Sequence, residues 1–390
     1  MPLKDTAIVG YAETKIVTRS PRDVFELAAE VVDAIIVKTG TDKAEIDGLI
    51  VNSALAGAGE PFWSQTMADY LGFELDFCQS LDIGGSSALG AVARAAMAID
   101  NGMAETVLCL FSDTSSVQDP SYTRGFHGEW TAPLGYLGPV VAFGLLSTRY
   151  KHQFGLDEAA LGKLAVTQRG HALLNENACD KLRKPITVED YLNSAMISDP
   201  VRLLDCVMPC DGANGLLLTS RRRAKSKQFD KFAVPIGYGE RTSFQVTESV
   251  PDPTVTGHKV AGEKAFAAAG LRPKDINSIQ PYDDFIIAIM LQFEMLGFCK
   301  HGHGSAFIRE NDFSHTGTFP LNTGGGQISA GQCGLAGGGT NLVEAIRQLF
   351  GEGGGRQVKN TKNVLATGIG GIPYGRNWTT STAMILTADA

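Results

Sequence analysis

The sequence predicts an α/β protein built from two duplicated βαβαβ-type halves, and three observations carry that expectation. Short apolar runs bounded by glycine or asparagine alternate with stretches whose apolar residues recur at helical spacing. The order then repeats. A helix over 31–40, Ala44-Glu45-Ile46-Asp47 and a strand at 48–52 are answered by a helix over 260–270, Lys274-Asp275-Ile276-Asn277 and a strand at 278–282, with Gly40 answering Gly270 and Ile46 answering Ile276. A second match sets 90–95 (GAVARA) against 339–345 (GTNLVEA). Third, the 45 glycines cluster at 84–90, 324–339 and 351–371, which marks close backbone approach in a site and not a flexible linker. Two similar halves imply face-to-face packing about a pseudo-twofold axis, with the site where loops of both converge.

Taken in order, residues 5–12 read as a buried strand. Ser20-Pro21 opens a helix in which Val24, Leu27, Ala28, Val31, Val32 and Ile35 share a face, ending near Gly40. A strand at 48–52 and a helix around 63–71 follow. The apolar strand at 77–83 then meets Gly84-Gly85, two serines and a run of small apolar residues that reads as a buried helix to 99. Gly84 and Gly85 allow a tight strand-to-helix turn, with Ser86 or Ser87 placed to cap the helix. Such a turn is where several folds put a nucleophile, and its N–H groups suit a developing oxyanion. A strand at 105–112 completes this unit.

Residues 113–200 change character. They carry Tyr122, His127, Trp130 and Tyr136, then amphipathic helices at 139–154 and 157–178, and read as an insertion or lid on the first half. Residues 201–204 and 211–219 return to the sheet, and 232–241 is a further strand. The expected division is an N-terminal half at 1–250, including the insertion, and a C-terminal half at 251–390.

Lys and Arg number 34 against 42 Asp and Glu, a formal charge of −8, which argues against a nucleic-acid surface. The exception is Arg221-Arg222-Arg223 with Lys225 and Lys227. It reads as a solvated turn after a strand, with a site for a ligand's phosphates as the other reading. Seven cysteines, an odd number without paired C-x-x-C spacing, indicate a reducing compartment, no disulfide framework and no metal site. No basic segment with an apolar core opens the chain and no apolar run approaches membrane-spanning length, so a cytoplasmic protein without a membrane partner is expected. HGHG at 301–304 reads as a turn with solvated imidazoles, and His127 and His315 as similar cases.

Five segments, GGSSALGAVARAAMAIDNGMAETVLCL (84–110), CDGANGLLLTS (210–220), AFAAAGLRPKDINSIQPYDDF (265–285), LNTGGGQISAGQCGLAGGGTNLVEAIRQL (321–349) and LATGIGGIPYG (365–375), fall in the order found in thiolases over nearly the whole chain. The sequence resembles the thiolase superfamily, and within it the branch of sterol-carrier-protein-x and the lipid-transfer proteins. That resemblance implies the thiolase fold, a layered α/β/α/β/α arrangement with a loop insertion. The departures from it bear on chemistry. The nucleophilic cysteine of the Cys-x-Ser-Gly-x-x-Ala pattern corresponds to Gly85, or one residue on to Ser86. A serine without an adjacent base is a poor nucleophile. The histidine of Gly-His-Pro corresponds to Gln332, which cannot accept a proton at neutral pH. The second cysteine, of Cys-x-Gly-Gly, corresponds to Gly368, followed by Gly370 and Gly371. Cys333 takes the proline position and reads as structural.

Two tyrosines stand where acid–base groups belong in the family: Tyr282 in PYDDF, replacing the first residue of Asn-Glu-Ala-Phe or His-Asp-Cys-Phe, and Tyr374 in GGIPYG. In this the chain is most similar to the thiolase-like aldolases of steroid side-chain degradation. The resemblance implies retro-aldol cleavage of a β-hydroxyacyl-CoA, with a steroid or aromatic side chain, to a short acyl-CoA and a ketone or aldehyde. Tyr282 and Tyr374 would move protons, in an order left open, and Gly85, Ser86, Gln332, Gly370 and Gly371 would line the oxyanion and substrate site. Asp283 and Asp284 would oppose an ionised Tyr282 if close and charged. The resemblance also implies a homodimer and a small, separately encoded zinc-finger/OB-fold partner, giving a heterotetramer. No cofactor or metal is expected on this chain, the CoA thioester being substrate and zinc belonging to the partner. Two other functions are compatible with the residues: an acyltransferase or thiolase relative acting through a serine or Cys333, and a non-catalytic acyl-CoA or lipid carrier.

Overall fold

A computed structural model describes residues 3–57, 60–117, 132–136, 138–244, 252–372 and 377–389. Eleven strands are present among them. These are β1 (Thr6–Glu13), β2 (Gly48–Asn52), β3 (Phe77–Leu81), β4 (Thr106–Thr114), β5 (Met196–Ser198), β6 (Val201–Arg202), β7 (Asp211–Ser220), β8 (Ala233–Thr242), β9 (Ser278–Gln280), β10 (Asn363–Ile369) and β11 (Thr380–Ala388). The longer helices are α1 (Val24–Thr39), α2 (Trp63–Leu71), α3 (Ser87–Asp100), α4 (Pro139–Phe154), α5 (Glu158–Leu173), α6 (His258–Ala269), α7 (Ile286–Met295) and α8 (Gly337–Phe350).

Nine strands form one sheet in the order β3-β2-β4-β7-β1-β8-β11-β10-β9. β1 and β8 meet through a single pair, Ile8 with Ala233, so the sheet reads as a five-stranded and a four-stranded part. β8, which precedes the expected boundary at 250, belongs to the second part through β11. The almost entirely apolar helix α3 and the glycine-started α8 pack against each other and against strands of both parts. α1 and α2 cover the outer face of the first part, and α6 and α7 that of the second. The expected five layers, α/β/α/β/α, are therefore present, and the central position of α3, buried from Ser87 to Ala93 and exposed only toward its C-terminal end, explains its many small residues.

Several local expectations are corrected. α1 begins at Val24 and not at Ser20-Pro21, because Asp23 and Glu26 form a reciprocal capping box. The strand at 201–202 pairs with β5 in a separate hairpin instead of rejoining the main sheet. The second insertion helix stops at Leu173, and residues 174–178 turn beneath the 322–330 loop, where Asn175 donates to the Gly324 carbonyl at 2.8 Å. The insertion also docks on the C-terminal half, with Phe143 stacked on Phe285 at 4.1 Å between ring centres. Tyr122, His127 and Trp130 lie outside the described residues.

The basic run is a short helix, Arg221–Ser226, and not a turn, but it is solvated as expected, with Arg222, Lys225 and Lys227 exposed. Arg221 pairs with Asp389, Arg223 with Glu45 and Glu105, and Lys227 with Glu45. In the turn at 301–304 His303 is exposed as expected, whereas His301 is only partly so: its Nδ1 lies 2.8 Å from the buried Glu294 carboxylate and its Nε2 3.2 Å from Thr254 Oγ1. Among the described residues no helix is long and apolar enough to cross a membrane, and no group of His, Cys, Asp or Glu has metal-binding geometry.

Candidate active site

The glycine turn at 84–86 closes as a single 3₁₀ turn ahead of α3. The Ser86 N–H is directed to the Ile83 carbonyl and the Ser87 N–H to that of Gly84, so these two groups are spent within the turn. Neither serine caps α3 as expected. Ser87 Oγ instead accepts from Ile83 N at 3.1 Å, and Ser86 Oγ is fully buried without a hydrogen-bond partner among the described residues. Gly84 adopts φ +58°, and a Cβ there would lie 1.8 Å from the Gly370 carbonyl oxygen, so the turn is pressed against the end of β10.

Tyr282 follows β9 and is held at its backbone from both sides. Its N–H donates to Thr367 Oγ1 at 2.9 Å, and its carbonyl accepts from Gln292 Nε2 at 2.8 Å. Thr367 and Gln292 are themselves hydrogen-bonded. The phenol lies directly over Gly85: a Cβ built there would fall 2.1 Å from Cζ and 2.3 Å from the hydroxyl oxygen. Gln332 Nε2 approaches that oxygen at 3.4 Å. Burial, followed by the nearby charge of Asp284, holds the phenol above its ordinary range, so Tyr282 is a neutral phenol and not a resting base.

Asp283, next along, organises the loop that carries Gln332. It accepts from the N–H groups of Gln327 at 3.0 Å and Ile328 at 3.2 Å, from Asn341 Nδ2 at 3.0 Å, and from Gln168. Burial nonetheless pushes its carboxyl up to about 6. Asp284 is pushed up to about 8, by burial and then by the charge of Asp283. The like-charge opposition to Tyr282 is therefore weaker at neutral pH than two ionised aspartates would exert.

Gly85, Ser86, Tyr282, Gln332 and Gly370 converge. Gly370 N–H donates to the Thr380 carbonyl at 2.7 Å and Gly371 O accepts from Thr379 N at 2.8 Å, so this pair extends the β10–β11 ladder and forms a wall of the site. Tyr374 lies outside the described residues. Cys333 is 1% exposed and burial pushes its thiol well above the ordinary value, consistent with a packing role. Sequence reasoning missed the Gln292–Thr367 clamp, the Asp283 anchor and His258. This last imidazole is buried, hydrogen-bonded through Nε2 to the Gly368 carbonyl at 3.1 Å, and lowered by burial to about 3. Gln292, one of two polar residues with Glu294 in the mostly apolar α7 (IIAIMLQFEM), was the available signal for the first.

Duplicated halves in five layers, with a site at their seam beside the N-terminus of a central helix, define a protein of thiolase type. The profile of the thiolase C-terminal domain-like family matches residues 239–387. The steroid side-chain-cleaving aldolase of Thermomonospora curvata is 31% identical, with 98% of each chain covered. The 17-hydroxy-3-oxo-4-pregnene-20-carboxyl-CoA lyase of Mycobacterium tuberculosis is 30% identical over 94% of this chain and 97% of its own. A solved structure, the Ltp2-ChsH2(DUF35) aldolase, superposes with a TM-score of 0.85 at 29% identity over 100% of this chain and 98% of that one. The chain belongs to the thiolase superfamily, on the branch of these side-chain-cleaving aldolases.

Proposed function

We propose that this chain is a carbon–carbon lyase that cleaves a β-hydroxyacyl-CoA by a retro-aldol reaction, releasing a short acyl-CoA and a ketone or aldehyde. The observation that carries the reading is the Tyr282 phenol standing in the space that any side chain at position 85 would need. The place of a covalent nucleophile is thereby given to a proton donor. A retro-aldol needs a base for the β-hydroxyl proton, donors for the thioester enolate, and an acid to protonate it, but no acyl-enzyme. Tyr282 and Tyr374 are the proposed proton-handling residues, with neutral Tyr282 on the donating side. Ser86 Oγ, which has no partner among the described residues, is the proposed oxyanion donor, because the N–H groups of Ser86, Ser87 and Gly370 are already engaged; Gln332 Nε2, whose hydrogens go to Gln327 Oε1 and the Tyr282 hydroxyl, is proposed to line the site and would have to release one of them to serve as a second donor. Gly85, Gly370 and Gly371 contribute close backbone walls.

The names of the full-length relatives support a steroid side-chain CoA ester as substrate, with an aromatic side chain as the other candidate. The DUF35 component in the name of the solved relative supports a small partner, proposed to be a zinc-finger/OB-fold protein that joins a homodimer as a heterotetramer. Zinc would belong to that partner, and this chain would need no cofactor. A cytoplasmic setting is part of the same proposal, supported by seven cysteines that are all free thiols.

To test the reading, the chain is co-expressed with its partner and incubated with β-hydroxyacyl-CoA esters of steroid and aromatic acids, followed by mass spectrometry of products and of intact protein. Cleavage without a covalent adduct is expected. An acyl adduct on the protein would favour acyl transfer, and tight binding without turnover across the panel would favour a carrier.

A further inference from the structure

Gln327 precedes Gln332 on the same loop and is wholly buried. Gly325 and Gly326, both at positive φ, turn the chain into the short helix Gly326–Ala330, and a Cβ on Gly326 would fall 2.1 Å from Asp283 Oδ2. The Gln327 N–H is thereby placed on the other oxygen of that carboxylate at 3.0 Å, which fixes where the side chain starts. Its end reaches the start of α8: a Cβ on Gly337 would lie 2.0 Å from Gln327 Oε1 and 3.1 Å from Gln332 Cγ, so both side chains occupy the space that this glycine leaves. Gln332 is pinned at its backbone, its N–H on the Met208 carbonyl at 3.0 Å and its carbonyl receiving Cys210 N at 2.8 Å. From there Gln332 Nε2 lies 3.3 Å from Gln327 Oε1 and 3.4 Å from the Tyr282 hydroxyl oxygen. The phenol therefore accepts from Gln332, and its own hydrogen has no acceptor among the described residues. An amide presents a donor at one end and an acceptor at the other, so the direction of this hydrogen bond depends on which end of Gln332 faces the phenol. Gln327 Oε1 settles that, because a carbonyl can only receive from Gln332. The Gln327 oxygen is itself favoured at Gly337, where the positive end of the 14-residue α8 dipole meets it. The other end of the Gln327 amide, Nε2, is enclosed with no acceptor, a cost that an apolar side chain of similar size would not carry, so packing alone does not call for glutamine here.

We propose that Gln327 is a positioning residue for the proton donor: its side-chain carbonyl holds the Gln332 amide with the N–H end on the Tyr282 oxygen, which leaves the phenolic proton for the substrate. This rests on the retro-aldol reading. The enolate left by Cα–Cβ cleavage takes the Tyr282 proton at Cα, and the phenolic O–H bond breaks with its electron pair left on oxygen. The Gln332 N–H stays on nitrogen throughout, and its hydrogen bond strengthens as the tyrosinate forms. The proton that the base removed from the β-hydroxyl then restores the phenol, so one proton has moved from oxygen to carbon and no further reactant is needed. The Gln332 contact also works against the burial that raises the phenol, which is the direction a proton donor requires. With the Gln332 amide reversed, its carbonyl would take the phenolic hydrogen and turn the donor away from the substrate.

The test is a double-mutant cycle in kcat for the partner-bound wild type, Gln327→Met, Gln332→Met and the pair, on whichever β-hydroxyacyl-CoA the wild type cleaves. Each single change should lower kcat by about 10- to 100-fold, the worth of a hydrogen bond to a charged oxygen, and leave KM within about threefold of its starting value. The pair should be no slower than the slower single variant, because both losses run through one contact. For the same reason Gln327→Met should add little to the loss already present in Tyr282→Phe, which lacks the phenolic oxygen. Losses that multiply in either background, or a Gln327→Met enzyme that keeps the wild-type kcat, overturn the positioning role alone, whereas a wild type that cleaves nothing in the panel overturns the aldolase reading and the role with it. Should Gln327→Met not fold, neutron diffraction from the deuterated wild-type complex decides: deuterium on Gln332 Nε2 directed at Gln327 Oε1 and at the Tyr282 oxygen is expected, and a Gln332 side-chain carbonyl facing the phenol overturns the assignment.

Discussion

A methyl group on Gly85 would lie 2.1 Å from the Tyr282 ring, far inside van der Waals contact, so the glycine and the phenol form one unit in which each requires the other. Gly85→Cys is therefore expected to displace Tyr282 instead of restoring thiolase chemistry. Aldol cleavage should fall, no acyl adduct should appear in intact mass spectra, and stability should drop by about 1–3 kcal/mol in urea unfolding. The departures from the thiolase pattern were legible in the sequence because Gly85, Gln332 and Tyr282 sit at motif positions. Their surroundings were not. A two-aspartate step in a chain reads as solvated, whereas here burial raises both carboxyls. That has a consequence for stability. The raised pKa of Asp284 means that its contribution is fully present below the unfolded-state value of 3.8 and is lost as pH rises through about 8. Asp284→Asn should abolish that loss and leave the variant more stable than wild type above pH ~8 by about 1–2 kcal/mol. A variant whose urea midpoint falls more steeply with rising pH would contradict this.

Among the elements, the two central helices do most to position the site. A Cβ on Gly338 at the start of α8 would lie 2.3 Å from the Gly85 carbonyl oxygen, so Gly338→Ala should spread the seam between α3 and α8 and lower both kcat and the melting temperature. Further along α8, Glu344 is buried between Arg347, at 2.6 Å, and Arg356, at 3.2 Å. Burial alone would raise its carboxyl, but the two guanidinium groups hold it down at about 2. Its contribution is therefore present above the unfolded value of 4.5 and is lost as pH falls toward about 2. Glu344→Gln at neutral pH leaves Arg356 without its carboxylate and Arg347 with Glu13 alone, and should cost about 3 kcal/mol in chemical unfolding. The helices and buried strands were legible from apolar spacing and from glycine stops, as at Gly40 and Gly270, where the chain turns through positive φ. The β5–β6 hairpin was not, because a two-residue strand has no period to read. Nor was the docking of the insertion onto the C-terminal half, which depends on contacts such as Phe143 with Phe285 that no local pattern encodes.

For the molecule as a whole, the internal repeat was enough to anticipate two halves and a site between them, while the partner surfaces had no sequence signature beyond the family resemblance. Among the described residues β3 ends the five-stranded part with one unpaired edge, an arrangement that invites a second copy. Mass photometry should show a homodimer, and a heterotetramer once the zinc-finger/OB-fold partner is added; a chain that stays monomeric with its partner present would contradict the proposed assembly. The central claim, that a phenol has taken over where the family keeps a covalent nucleophile, is tested most directly by the turnover of Tyr282→Phe in that assembly. Removing one hydroxyl leaves the ring that fills the Gly85 space, so folding and KM should be nearly unchanged while kcat falls by roughly 10²- to 10⁴-fold. Full retention of cleavage by Tyr282→Phe, and by Tyr282→Phe combined with Tyr374→Phe, would contradict it.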